Sequence, residues 1–215
     1  MNIFKINTEI KELLNTGIFI VILLVVYKLF PTINLFQEIV ALLVFFVAMP
    51  ILYVKFILKK NVKYFGFEIG DKKNGLLWSS VSLVVSLLLM YIVINYTEFL
   101  QNYSFSVYVA ESFKSFLLYE LFAVSLILLI YEFFFRGFIV SQYGDKFSYW
   151  VILFQWFLFI LLVASQGFSW QFIPFIVFSP FSAFILLKSR SLLYGFVSQI
   201  IFMIIIDASV IALLK

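Results

Sequence analysis

Long apolar runs, broken by short polar stretches, recur along the whole chain. Each run is continuous rather than alternating, and several approach the ~20 residues a helix needs to cross a bilayer. The pattern therefore predicts membrane-spanning helices and argues against a β-barrel, whose strands would alternate. Seven spans are expected, at 16–30, 35–58, 76–96, 112–142, 148–165, 171–187 and 191–213. Ahead of them, Ile3, Ile6, Ile10, Leu13 and Leu14 recur at helical spacing among Lys5, Glu9, Lys11 and Glu12. Residues 1–15 thus read as a short interfacial helix leading into a single bundle over 16–215. A cleaved signal peptide does not fit, since acids precede the apolar run and no small-x-small site follows it. Pro50 predicts a kink in the second span, and Pro174 and Pro180 a bent or broken sixth helix. The fourth span is longer than the hydrocarbon core and is expected to tilt or protrude.

Composition agrees. The 215 residues are 65% hydrophobic and 12% charged, where a soluble domain carries about 25% charged residues. The fold class is all-α, a polytopic transmembrane bundle of about seven spans. The net charge of +4 comes from basic residues that flank spans, a pattern that orients a membrane protein and does not point to nucleic acid. Lys55, Lys59, Lys60, Lys63, Lys72 and Lys73 surround Tyr64-Phe65-Gly66-Phe67-Glu68-Ile69-Gly70, the most basic loop. The loops at 142–147 and 188–190 also carry Lys or Arg, and those between them almost none. The expected topology is an inside N-terminus and an outside C-terminus, in a membrane expected to be the bacterial cytoplasmic one. Trp78, Trp150 and Trp170 fall at expected interfaces. Gly66, Gly70 and Gly75 make no phosphate loop, because no Gly-Lys-Ser/Thr follows them. The sequence contains no Cys and no His. Thiol chemistry is thereby excluded, and the commonest general base and metal ligand is missing.

Few polar residues lie inside the spans. Glu132 and Arg136, within Tyr131-Glu132-Phe133-Phe134-Phe135-Arg136-Gly137, are four apart and share a helix face, so they can pair. That pair reads either as a structural lock or as the remnant of an active site. Glu120 and Tyr131, eleven residues apart, share a face, as do Gln199, Met203 and Asp207 on the last span. Gln155 has no motif around it, and Asp207 lies near the outer end of its span.

Over roughly residues 60–210 the chain resembles the CPBP family of membrane endopeptidases, related to type II CAAX prenyl endopeptidases and to bacteriocin-processing and self-immunity proteins. The first family motif, Glu-Glu-x-x-x-Arg before Gly, corresponds to Tyr131-Glu132-Phe133-Phe134-Phe135-Arg136-Gly137. The second, Phe-x-x-x-His, corresponds to Leu162-Val163-Ala164-Ser165-Gln166. The third, His-x-x-x-Asn after a Ser-Leu start, corresponds to Gln199-Ile200-Ile201-Phe202-Met203 after Ser191-Leu192. In the family the first Glu and the first His activate water, and the last His and Asn stabilise the oxyanion. This chain departs at all four positions, with Tyr131, Gln166, Gln199 and Met203, and keeps Glu132 and Arg136. Gln takes no proton at neutral pH, Tyr with a pKa near ~10 does so poorly, and Met is only a weak acceptor. By helix rise, Glu132 and Gln199 lie about 12–15 Å from the cytoplasmic end and Gln166 about 27 Å. A tilted fifth helix or a different second-motif residue would account for that gap.

The resemblance implies a degenerate site at Tyr131, Glu132, Arg136, Gln166, Gln199 and Met203, with no cofactor and no metal. The expected function is that of a pseudoprotease. It would bind a hydrophobic peptide, a lipidated chain end or a membrane protein partner within the lipid bilayer, in a regulatory or bacteriocin-immunity-like role. Two alternatives stay open: an active intramembrane CAAX-type endopeptidase with Glu132 as lone base, and a membrane subunit of a transporter or larger complex.

Overall fold

The computed structural model describes residues 3–61, 65–104 and 106–213. Lys63 and Tyr64 of the basic loop lie outside the described residues, as do the side chains of Ile3, Lys5 and Ile6. All described secondary structure is helical, and seven long helices account for most of it. They are α1 (Ile3–Leu29), α2 (Phe36–Ile57), α3 (Lys72–Tyr96), α4 (Phe113–Phe147), α5 (Trp150–Gln166), α6 (Ile173–Ser189) and α7 (Leu192–Leu213). Six helical stretches are long and apolar enough to cross a membrane, and α5 is a shorter apolar helix. The amphipathic start and the first span form one unbroken helix, α1.

The prolines act more mildly than their number suggests. Pro174 sits in the first turn of α6, where its missing N–H leaves no gap. The helix runs unbroken through Pro180 to Ser189. Pro50 lies in α2 between two stretches of wide, i→i+5 bonded turns, Val44–Ala48 and Tyr53–Ile57. Such turns let the helix continue around a residue that cannot donate. The long α4 carries two more, Tyr119–Val124 and Glu132–Val140.

α4 is the hub, packing against α2, α5, α6 and α7, while α3, α6 and α7 pack on one another. Every residue from Ile130 to Val140 is buried, which no helix with a lipid-facing side achieves. Phe46 of α2 stacks on Phe134 at 4.5 Å, Phe159 of α5 meets Phe135 edge-on at 5.1 Å, and Phe65 packs on Phe133 at 4.7 Å. Between α6 and α7 the approach is closest at Gly195, where an added Cβ would stand 2.4 Å from Ser182 Oγ.

The basic loop is docked. Gly66 O accepts from Leu192 N at 2.9 Å, and Asp71 N donates to Ser189 O at 2.7 Å, so the loop clamps the α6–α7 turn. Gly70 makes the clamp possible, with φ +54° and only 2.1 Å between its would-be Cβ and Ser189 O. Asp71 then caps α3 through Asn74 N at 3.0 Å and Asn74 Nδ2 at 2.8 Å, bonds that hold its carboxyl below the usual range. The three basic loops share one end of the bundle with the start of α1. There Lys60 pairs with Glu12, and Lys146 with Glu9 at 2.9 Å. Lys188 sits over the rings of Tyr149 and Trp78 at the same end. At the opposite end Lys28 donates to Ser165 O, and Gln171 to Ser104 O.

Candidate functional site

Glu132 and Arg136 pair as expected, with Arg136 Nε 3.2 Å from Glu132 Oε1 and both side chains at most 1% exposed. The contact is ionic without hydrogen-bond alignment, and neither Nε nor Nη2 of Arg136 meets a hydrogen-bond acceptor among the described residues. The other Glu132 oxygen accepts from Ser182 Oγ of α6 at 2.6 Å. The guanidinium lies 5.8 Å from the centre of the Phe159 ring on α5, within reach of a cation–π attraction. The pair therefore joins three helices: α4 carries it, α6 supplies a donor and α5 an aromatic face.

A cavity of about 130 Å³ opens toward the end of the bundle opposite the basic loops, with Ser104, Gln171 and Glu38 at its mouth. Tyr131 and Met203 both line it. Glu132, Arg136, Gln166 and Gln199 do not. Gln199 is buried on α7, and its Oε1 meets no partner among the described residues. Gln166 is the last residue of α5 and lies beside the Tyr27 hydroxyl of α1. A ring of α2 separates the two neighbourhoods, since Phe46 lies 4.7 Å from Tyr27 and 6.2 Å from Tyr131. The α5 residue that faces Tyr131 is Phe159, at 5.4 Å. The depth gap at Gln166 thus has a physical cause: this residue belongs to the end of the bundle and not to the level of Glu132. The structure brings Tyr131 and Met203 together at one cavity, buries Glu132 with Arg136 beside it, and leaves Gln166 apart.

Three participants escaped sequence reasoning. Ser182 is one of several serines in an apolar helix, and its partner lies 50 residues away. Phe159 is one of 30 phenylalanines. Tyr103, in the segment between α3 and α4, donates to Asp207 Oδ1 at 2.7 Å. Burial and then the Asp207 carboxyl raise its phenol well above the ordinary value. Gln155 also gains a place, holding α5 to α6 through Ser179 at 3.3 Å.

Chemically, the cavity offers no group able to take a proton from water at the Tyr131 and Met203 positions. Among the described residues no cluster of His, Cys, Asp or Glu could hold a metal. No curated protein and no solved structure matches the chain. Residues 112–205 match the family model described as Rce1-like, type II CAAX prenyl endopeptidase Rce1-like. That segment runs from α4 into α7 and holds Tyr131, Glu132, Arg136, Gln166, Gln199 and Met203, so over this part of the membrane bundle the chain is similar to the type II CAAX prenyl endopeptidases.

Proposed function

We propose that this CAAX-protease-like membrane protein does not cleave peptides but binds a hydrophobic peptide or lipidated chain end in the cavity between α2, α4, α6 and α7. The observation that carries this reading is the cavity wall, where Tyr131 and Met203 stand at positions that resemble the family's water-activating Glu and oxyanion-binding Asn. Supporting it, Glu132 is fully buried, bonded to Ser182 and paired with Arg136, and does not line the cavity. A lone-base mechanism would require Glu132 to leave both partners to reach a substrate. The basic end of the bundle faces the cytoplasm in this reading, so the cavity opens to the outer side. A regulatory or bacteriocin-immunity-like role is compatible with a receptor of this kind.

Purified protein offered prenylated and hydrophobic fluorogenic peptides should show binding without cleavage above buffer. Turnover that disappears in Glu132→Gln would overturn the proposal.

A further inference from the structure

The cavity has an unbalanced chemistry. Two carboxylates, Glu38 and Asp207, and five rings, Tyr103, Tyr119, Tyr131, Phe172 and Phe175, stand in its wall, and no Lys or Arg lines it among the described residues. Asp207 is 1% exposed and accepts one hydrogen bond, from Tyr103. Glu120, equally buried, faces Asp207 from α4 behind the cavity wall, with the two carboxyls within hydrogen-bond reach of each other. Apart from Asp207, neither Glu120 oxygen meets a hydrogen-bond partner among the described residues. Neither acid is held in an ion pair with a described Lys or Arg.

Buried carboxylates are normally compensated by a cation or by several donors. Here one phenol, bonded to Asp207, and the contact between the two acids themselves are the only compensation among the described residues. Aromatic faces beside that negative pole select a particular ligand, because a ring face attracts a cation while its body packs against hydrocarbon. An anion would meet Asp207 and Glu38, and a neutral alkyl chain would leave Glu120 and Asp207 as they are. A small hydrated metal ion would gain nothing from five rings. Asp207, Tyr103 and Glu38 also lie outside the matched segment 112–205, so most of this pole is built by other parts of the chain.

We propose that the cavity binds an alkylammonium group, with its nitrogen at Asp207, which Glu120 backs from behind the wall, and its hydrocarbon against the aromatic wall. The proposal rests on the reading of this cavity as a ligand site. The same group is offered by the headgroup of an aminolipid or by a free amine.

The test titrates the full-length protein in maltoside micelles with hexylammonium, hexanol and hexanoate, three ligands of one chain length and different charge. Hexylammonium should bind roughly tenfold more tightly than either of the others, the scale expected for a cation among aromatic faces. Asp207→Asn and Glu120→Gln, both near-isosteric, should abolish that preference. If a variant does not fold, the order of the three ligands on the parent chain still decides. A second arm compares lipid nanodiscs with and without phosphatidylethanolamine. Weaker hexylammonium binding in the presence of that lipid assigns the site to a headgroup, and unchanged binding assigns it to free amines. Equal binding of the three ligands, or a preference that survives both substitutions, overturns the alkylammonium proposal and leaves the ligand cavity standing. No binding of any of the three overturns the cavity reading itself.

Discussion

Replacing one member of the Glu132–Arg136 pair should damage the bundle more than replacing both. In Glu132→Leu the guanidinium stays 1% exposed and loses the one carboxylate it meets among the described residues, and the Ser182 hydroxyl loses its acceptor. In Arg136→Met the carboxylate keeps Ser182 but loses its counter-charge. Breaking a buried pair from one side costs about 3–5 kcal/mol, because the remaining charge is uncompensated. Substituting both members by apolar residues of similar volume removes that penalty and is often close to neutral. For a chain of this size 1 kcal/mol moves the midpoint by about 2–4 °C, so each single variant should lose roughly 6–20 °C in detergent. The double variant should regain most of that loss. Ser182→Ala removes a hydrogen bond to a charged group and should fall between, at about 1.5–3 kcal/mol. Thermal unfolding of the four variants, read by tryptophan fluorescence or by retention of a monodisperse chromatography peak, measures the series. Two single variants as stable as the parent, or a double variant worse than both, would refute the structural role of the pair.

Two further outcomes follow from the packing and the charge pattern. Gly195→Ala places a methyl 2.4 Å from Ser182 Oγ, so it should separate α6 from α7, weaken the bond to Glu132 and lower the midpoint by an amount similar to Ser182→Ala; a midpoint equal to the parent's would show that Ser182 is free to turn away. Cysteines introduced at Lys72, Lys146 and Lys188 should label only from the cytoplasm, and those at Asn102 and Gly167 only from outside; outside labelling at Lys72 would invert the topology.

The spans were legible because each is a local property: a long enough apolar run needs no partner to declare itself. The Glu132–Arg136 contact was legible for the same reason, since a spacing of four places both on one face of one helix. What depends on how helices lean against one another was not. Gln166 matches a motif by counting, yet its position at the end of α5, beside Tyr27, follows from a short helix and its neighbours. The cavity draws its wall from α2, α4, α6, α7 and the segments that lead into α4 and α6, and no single stretch announces it. The basic loop hid its structural part behind its charge: six lysines suggest topology, while Phe65, Gly66 and Gly70 do the docking.

The intrahelical character of the ion pair also bears on how the chain enters the bilayer. During synthesis α4 emerges before α6, and Ser182 follows Glu132 by 50 residues. At about 5–20 residues per second that interval is roughly 3–10 s. A carboxylate whose counter-charge lay on a later helix would wait in hydrocarbon, or outside it, for that time. Arg136 travels on the same helix, one turn away, so α4 reaches the membrane with its charge already balanced. The later arrival of α5 and α6 then adds an aromatic face and a hydroxyl to a pair that was never alone.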